Sequence, residues 1–315
     1  MEPTMSRCPY LPEKTLPVQI DGQPSESLDV TIIKAFEPFT LSCALLVRLN
    51  WPMLRGEYVL KLFDRRYATQ LRRDNQASAW TADIEVAYHA LVESTDMASL
   101  FALYAQKETD YEWTPKAEAG WDSAHREAYL QFCCRKHFST ETLVYDQLRD
   151  LQGECIPHLA ARILLKSPSS SGPTHEYLDC PGILLEYVQG FSLTDLDKFA
   201  PKAAWQQICD EAIRIINLIG GRGIRNEDVK TRSFIVRHHP STNNQQTTRP
   251  NVVMIDFGSC VLRTKDQDDR DWREWKAMQD EEGAIGVVME RKLNGGFTYV
   301  RTAESERLMD EFMSE

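Results

Sequence analysis

Lys61 is the first residue in this sequence whose charge needs a reason. It lies inside the apolar run Tyr-Val-Leu-Lys-Leu-Phe, where the pattern predicts a strand over residues 57–63. A cation in the middle of such a strand is costly unless it meets a counter-charge or a phosphate. An edge-strand lysine that points at solvent is the alternative, and this fragment alone does not separate the two.

Glu141 is a carboxylate that could meet that lysine. The residues that follow Ser139 predict a helix to about Leu151, with Ser139 as its N-cap. Glu141 and Tyr145 are four residues apart, so the acid shares a face with packing residues. An ion pair with Lys61 requires this placement, whereas a solvated first-turn glutamate favoured by the helix dipole is the simpler alternative.

Two aspartates follow in positions that suit ligand binding. Asp228 lies in a polar segment between a predicted helix and the short strand 234–236, and such loops present side chains to ligands. Asp256 ends the apolar strand 252–256 and is followed by Phe and Gly. In isolation these three letters indicate only a strand-ending turn, so their meaning depends on the elements that precede them.

The composition predicts a globular chain with a sizeable core. The 315 residues are 42% hydrophobic, which suits one two-lobed domain or two small ones. The 47 acidic residues against 36 Lys and Arg give a net charge of -11, without a dense basic tract. We therefore expect no nucleic-acid or membrane partner, and a basic partner or a small metal-bound ligand fits better.

The location and redox state follow from what the sequence lacks. No apolar run approaches the length of a membrane span, and the N-terminus has no signal-peptide core, so we expect an intracellular protein, cytoplasmic or nuclear. Eight cysteines are scattered without a Cys-x-x-Cys pair. Reduced thiols are the expected state.

The predicted elements position the charged residues. Residues 1–27 carry prolines and few apolar residues, which predicts a flexible N-terminal segment, and residues 64–138 are too long for a loop and too aromatic for disorder, which predicts an inserted helical subdomain. The remaining predictions are strands at 30–36, 41–49, 156–165 and 182–188, helices at 82–92, 97–104, 205–219 and 280–293, and flexible turns at 167–173 and 240–250.

The order of these elements resembles a protein kinase. A strand hairpin precedes the strand with Lys61, and the helix with Glu141 follows; an apolar strand then leads to a helix, the loop with Asp228, and a strand into Asp256-Phe-Gly. The resemblance covers about residues 28–296 and is closest to the divergent, fungal-type kinase-like domains.

The resemblance implies an α+β architecture, the bilobal protein-kinase-like fold. An antiparallel β-sheet N-lobe would span 28–188, with the helical insertion at about 64–138 before the helix called αC in that family. A shortened, mainly helical C-lobe would span 189–315.

The resemblance also implies a role for each site residue. Lys61 would contact the ATP phosphates and pair with Glu141. Asp228 would be the catalytic base, and Asp256 the Mg²⁺ ligand. The adenine would lie against Glu186 and Val188, whose backbone groups bind it, with Leu185 as gatekeeper and Val59 and Ile235 on its two faces.

The sequence departs from the family in the loops that bind phosphate and metal. The family's His-Arg-Asp is replaced by Asn226-Glu227-Asp228, and Ser233 stands where the family has a metal-binding Asn. A serine hydroxyl coordinates Mg²⁺ in other phosphotransferases. The turn before the second strand lacks the Gly-rich motif. Glu281 is aligned with the family's acid that braces the catalytic loop.

Three hypotheses remain open. The first is a protein-kinase-like phosphotransferase that binds ATP and Mg²⁺ and transfers the γ-phosphate to a Ser/Thr or other hydroxyl despite its degenerate catalytic loop. The second is a pseudokinase, a nucleotide-binding or scaffolding module with the aromatic insertion as its surface for a protein partner. The third is an unrelated α+β domain with a chance Asp-Phe-Gly.

Overall fold

The computed structural model divides the chain into two compact units. The first unit comprises Met1–Ser139 and Leu159–Tyr187, and the second comprises Thr140–His158 and Val188–Glu315. Residues 140–158, which the sequence places with the predicted N-lobe, therefore group with the second unit. The structure describes residues 8–21, 23–110, 112–115, 118, 120–167, 175–237 and 251–313.

An antiparallel six-stranded barrel forms the body of the first unit. Its strands pair in the order β1-β2-β3-β4-β6-β5, and β1 closes the barrel by pairing with both β2 and β5. The prediction of an antiparallel sheet is confirmed, but the sheet is closed rather than open. The strands are β1 (Thr15–Ile20), β2 (Gln23–Ala35), β3 (Cys43–Asn50), β4 (Arg55–Leu62), β5 (Leu159–Leu165) and β6 (Cys180–Glu186).

Alternate residues of these strands fill the barrel. Leu45 on β3, Leu60 on β4 and Leu184 on β6 are fully buried in one apolar core. Because side chains alternate along a strand, the residues between them lie on the outer face of the barrel. Lys61 is one of these residues.

The predicted flexible segment 1–27 is wrong from Thr15 onward. Strand β1 and the start of β2 lie inside it, and Tyr10 is buried with its hydroxyl 2.5 Å from Asp64 Oδ2. The prediction failed because the prolines of this segment were taken as a sign of flexibility. Pro17 is accommodated because β1 pairs with β2 there, while its pairing with β5 is confined to Gln19 and Ile20, so no second ladder needs the missing N–H.

In the described residues of the segment after β4, four α-helices precede β5. They are α1 (Thr69–Asp74), α2 (Ala82–Ser94), α3 (Met97–Lys107) and α4 (Ser123–Gln147), and the predicted helices at 82–92 and 97–104 match two of them. Ser139 is not an N-cap, because α4 already begins at Ser123, where Asp122 Oδ1 accepts a hydrogen bond from the His125 N–H. The apolar face with Glu141 is therefore the continuation of a longer helix.

The second unit combines short strands with helices. Its strands are β7 (Gly190–Ser192), β8 (Ile224–Asn226), β9 (Phe234–Arg237), β10 (Val252–Met254) and β11 (Cys260–Leu262), and its helices are α5 (Leu196–Phe199), α6 (Trp205–Gly220), α7 (Asp269–Gln279), α8 (Glu281–Leu293) and α9 (Ala303–Met313). The predicted apolar face of α6 is buried, Ile208 and Ile216 included. Helix α7 has no counterpart among the predicted elements.

Two further findings concern the described part of the chain. None of its helices is long and apolar enough to cross a membrane. Two predicted turns lie outside the described residues. They are the turn at 167–173, of which only Ser167 is described, and the turn at 240–250.

Candidate functional site

Two antiparallel strand pairs hold the loops with Asp228 and Asp256 side by side. Strand β8, before the first loop, pairs with β11, which follows the second, and β9 pairs with β10. The Ile255 N–H donates to the Ser233 carbonyl oxygen at 2.8 Å, and the Glu227 N–H donates to the Ser259 carbonyl at 3.0 Å. The structure therefore places the loops that carry Asp228, Ser233 and Asp256 next to one another, and the roles assigned to these residues stay predictions.

Asn226 joins the two loops through its side chain. Its Oδ1 accepts a hydrogen bond from the Asp228 N–H at 2.9 Å, and its Nδ2 donates to the Asp256 carbonyl at 3.1 Å. The residue is 1% exposed, so water does not compete for these bonds. Sequence reasoning assigned Asn226 no role beyond a departure from the family motif.

Glu281 braces this junction from α8, the role that the resemblance implies for it. Its Oε1 accepts the Asn226 N–H at 2.8 Å. Burial raises the pKa of Glu281, although the charge of Lys276 and the bond from Asn226 partly oppose that shift. One buried carboxylate thus fixes the residue that positions both loops.

Asp256 adopts a backbone conformation that few non-glycine residues adopt. Its φ is 72°, in the left-handed region. The next residue, Phe257, is fully buried and packs edge to face on Tyr145, with ring centroids 5.5 Å apart. Packing of the phenylalanine and the bond from Asn226 hold the strained turn that presents Asp256.

Lys230 is a functional candidate that sequence reasoning missed. Its ammonium forms an ion pair with Asp228 Oδ1. A cation two residues after the aspartate, within a polar loop, was the signal available. In this position Lys230 offers a positive charge to an anionic group that approaches Asp228.

Lys61 is not a solvent-facing edge lysine. Strand β4 pairs with β3 on one side and β6 on the other, and Lys61 is only 9% exposed. Its ammonium lies 5.6 Å from the centroid of the Phe63 ring. Lys61 is thus a buried cation on the outer face of an apolar barrel.

The other predicted nucleotide contacts in the first unit lie close to Lys61. Val59 shares its face of β4 and is half-buried. In the pairing of β4 with β6, Val59 is opposite Leu185, and the preceding Tyr58 is opposite Glu186. The strand register therefore brings Val59, Lys61, Leu185 and Glu186 into one neighbourhood.

Three predicted site residues belong to the second unit. Glu141 is fully buried, which excludes the solvated first-turn alternative, and Val188 is 8% exposed. Ile235 lies on β9 between Ser192 and Val253 in the strand register. The predicted pair of Lys61 with Glu141 stays a prediction, since these two residues belong to different units.

The oxygen donors at the second unit's loops suit Mg²⁺. Asp256 supplies a carboxylate, and the 3% exposed Ser233 supplies a hydroxyl, both hard ligands. No group of three or more His, Cys, Asp or Glu in the described ranges could hold a metal on protein ligands alone. Proteins bind Mg²⁺ through one or two carboxylates together with phosphates and water. All eight cysteines are free thiols, as predicted.

Comparison with known proteins gives structural likeness alone. No family model and no curated protein matches the sequence. The Rio2 kinase–ADP/Mg²⁺–phosphoaspartate complex from Chaetomium thermophilum is similar at 10% identity and a TM-score of 0.47, over 90% of this chain and 63% of that one. This chain thus spans less than two thirds of the Rio2 chain.

A kinase domain of Mycobacterium tuberculosis, a double mutant of PknI, is similar at 13% identity and a TM-score of 0.36, over 90% of this chain and 95% of that one. Both similar structures are kinases, the class that the sequence resembles.

Proposed function

We propose that the chain binds ATP with Mg²⁺ and transfers the γ-phosphoryl group to a hydroxyl of a Ser/Thr side chain or of another acceptor. The carrying observation is the junction at Asn226, which ties the loop of Asp228 to that of Asp256 and is itself held by Glu281. Phosphoryl transfer depends on the positioning of the reactants and on electrostatics. Two acidic loops that hydrogen bonds hold side by side support both.

In this proposal Asp228 is the base. The acceptor hydroxyl oxygen attacks the γ-phosphorus, the bond to the β-phosphate oxygen breaks, ADP leaves, and the hydroxyl proton passes to the Asp228 carboxylate. Lys230, now paired with Asp228, stabilises negative charge on the transferred group. Asp256 and Ser233 hold Mg²⁺, which when bound neutralises charge on the phosphates.

The remaining site residues are assigned to the nucleotide. Lys61 binds the α/β-phosphates with Glu141 as its counter-charge, and burial of both charges supports these roles. Backbone groups of Glu186 and Val188 bind the adenine, with Val59 and Ile235 against its faces.

A nucleotide-binding module without transfer is the second candidate function. The ion pair of Lys230 with Asp228 favours it, because a carboxylate held by a cation is a weaker base. A serine in place of the amide ligand acts in the same direction. Under this alternative the chain still binds ATP, and a partner protein recognises its nucleotide-bound form.

The proposed site is tested by the thermal stability of the purified protein with ATP, with and without Mg²⁺. ATP at about 100 times its Kd adds about 2.7 kcal/mol and raises Tm by several degrees. We expect Lys61→Ala and Asp256→Ala to lose this rise. Lys265→Ala and Asp266→Ala, exposed neighbours on one turn, are the matched controls and should keep it. An equal rise in Tm for the wild type and the four variants would contradict the proposed site.

Radiolabelled phosphate transfer separates enzyme from module. With labelled ATP we would follow transfer to the protein itself, to Ser/Thr peptides and to water. Asp228→Asn should lower the rate about 100-fold or more, since general base catalysis contributes that much, and Asp266→Asn should leave it unchanged. ATP binding without any transfer by the wild type decides for the module.

A further inference from the structure

A cavity of about 550 Å³ lies within the second unit among α6, α7, α8 and α9. Ile216, Trp272 and Leu308 contribute apolar lining, while Lys276 and Glu281 contribute charge. Asp228, Ser233 and Asp256 do not line it. Its size and mixed lining are those of small-molecule sites.

The other charged groups of the lining already have partners. Asp280 takes two hydrogen bonds from Arg301, and Glu282 accepts from Asn217 Nδ2 and from Thr302. The two arginines of the lining are paired as well: Arg263 with Asp269, and Arg273 with Glu311. These groups hold the helices together and are satisfied.

Lys276 and Glu281 are the exception. The Lys276 Nζ lies 3.9 Å from Glu281 Oε2, too far for a hydrogen bond, and Glu281 is 6% exposed. Among the residues that the structure describes, Glu281 Oε2 is buried without a hydrogen-bond partner, while the side chain of Lys276 is 18% exposed. A buried carboxylate oxygen without a donor is costly, so this pair is open to a ligand that supplies one.

The charges of the pair select the ligand. An anion near Lys276 meets the repulsion of Glu281 at almost the same distance, and a cation near Glu281 meets that of Lys276. A neutral hydroxyl donates to Oε2 and accepts from Nζ, and an oxygen about 2.8 Å from each atom fits beside a pair 3.9 Å apart.

We propose that this cavity binds a small amphipathic molecule with an alcohol or primary amide head. The head bridges Lys276 and Glu281, and the apolar part lies against Trp272 and Leu308. Glu281 reaches the loops with its other oxygen, which accepts the Asn226 N–H. Binding therefore couples to the loops of Asp228 and Asp256, and this coupling, unlike the binding itself, rests on the proposed function.

Gly220 offers a variant that tests the head-group contact. A Cβ at Gly220 would overlap Lys276 Nζ, the far end of a flexible side chain, and would touch nothing but that side chain within 4 Å. Gly220 is the last residue of α6, where alanine is favourable. Gly120→Ala is the control, since Gly120 does not line the cavity and its Cβ meets no atom within 4 Å.

The test is a titration of the full chain with 3-phenylpropan-1-ol, followed by ligand-detected NMR. Two related probes serve as comparisons: propylbenzene lacks the hydroxyl group, and 3-phenylpropanoate carries an anionic carboxylate in its place. We expect both to bind at least about tenfold more weakly than the alcohol, as the loss of one good hydrogen bond implies. Gly220→Ala should weaken alcohol binding by a similar factor, and Gly120→Ala should not.

Equal binding of the three probes, or unchanged alcohol binding by Gly220→Ala, overturns the proposal. Should circular dichroism show that Gly220→Ala is unfolded, Lys276→Met provides the same comparison. The coupling is measured as a change in the Kd of ATP when the alcohol is saturating. Alcohol binding without any ATP binding refutes the proposed function and leaves this cavity assigned, whereas ATP binding that ignores the alcohol refutes the coupling.

Discussion

Asp256 shows how a single residue stores strain for a site. A φ of 72° costs a non-glycine residue about 1–2 kcal/mol relative to ordinary backbone. The bond from Asn226 to its carbonyl and the burial of Phe257 offset that cost. Strained backbone persists where the surroundings over-determine it, and such positions cluster at functional sites.

Glu281 gives a prediction about pH. Because burial raises its pKa above the ordinary 4.5, the folded chain holds a proton on Glu281 more tightly than the unfolded chain does. This stabilising contribution is fully present below pH 4.5 and is lost as the pH rises through the folded-state pKa. In Glu281→Gln an amide oxygen still accepts from Asn226 and nothing ionises, so we expect the stability of the wild type relative to the variant to fall over that interval.

Urea unfolding of both proteins at several pH values from 4 to 8 measures this difference. Glu57→Gln, at an exposed position, is the control and should follow the wild type. Parallel curves for wild type and Glu281→Gln would contradict the assigned pKa shift.

Strand β6 gives a prediction at the scale of elements. A Cβ at Gly182 would come within 2.8 Å of the Lys61 carbonyl oxygen and of Ile163 Cδ1. Backbone does not yield as a side-chain end does, so Gly182→Ala should displace β4 at Lys61 and cost about 1–3 kcal/mol. ATP affinity should fall with it, measured by calorimetry. Gly120→Ala, with no atom in reach, should leave both quantities unchanged.

A buried ion network ties β4 to the inserted helices. Arg65, just after β4, pairs with Glu85 on α2 and Glu127 on α4, and Arg72 on α1 pairs with Glu127 as well. Burial opposes the charge on Arg65, but the two glutamates outweigh it and raise its pKa. The inserted helices are therefore linked by buried ion pairs to the chain just after the strand of Lys61.

Removal of one partner tests this anchor. Glu127→Gln leaves two buried guanidinium groups short of a carboxylate, and we expect a loss of about 3–5 kcal/mol in unfolding free energy. The exposed pair of Arg48 with Glu57 is the matched comparison, where Glu57→Gln should cost about 0–1 kcal/mol. Chemical denaturation reports both, and similar costs at the two sites would mean that the network is not an anchor.

Barrel closure is the prediction that concerns the molecule as a whole. Without β1, strands β2 and β5 expose unpaired edges that recruit other chains. Deletion of residues 1–20 should therefore produce soluble aggregates or oligomers in light scattering, whereas deletion of residues 1–7 keeps β1 and should preserve the state of the full chain. Identical scattering from both deletions would show that closure is dispensable.

The sequence by itself determined the local features. The periodicity of apolar residues and the residues typical of element ends predicted the hairpin, α2, α3 and α6, because each element carries its own apolar pattern. Chemically unusual positions, Lys61 in an apolar strand and Asp256 at a strand end, were visible for the same reason. Strand β1, the start of β2 and the full length of α4 were missed, since proline and serine signals were overridden by partners distant in sequence.

Only the tertiary structure decided which groups meet. Barrel closure depends on pairing between strands more than 140 residues apart, in residues 15–20 and 159–165, which no local pattern encodes. Folding likewise creates the hydrogen bonds of Asn226, the contact of Glu281 with Asn226 and the ion pair of Lys230 with Asp228. Burial then fixes their strength, because the same carboxylate that is ordinary in water becomes a specific acceptor once water is excluded.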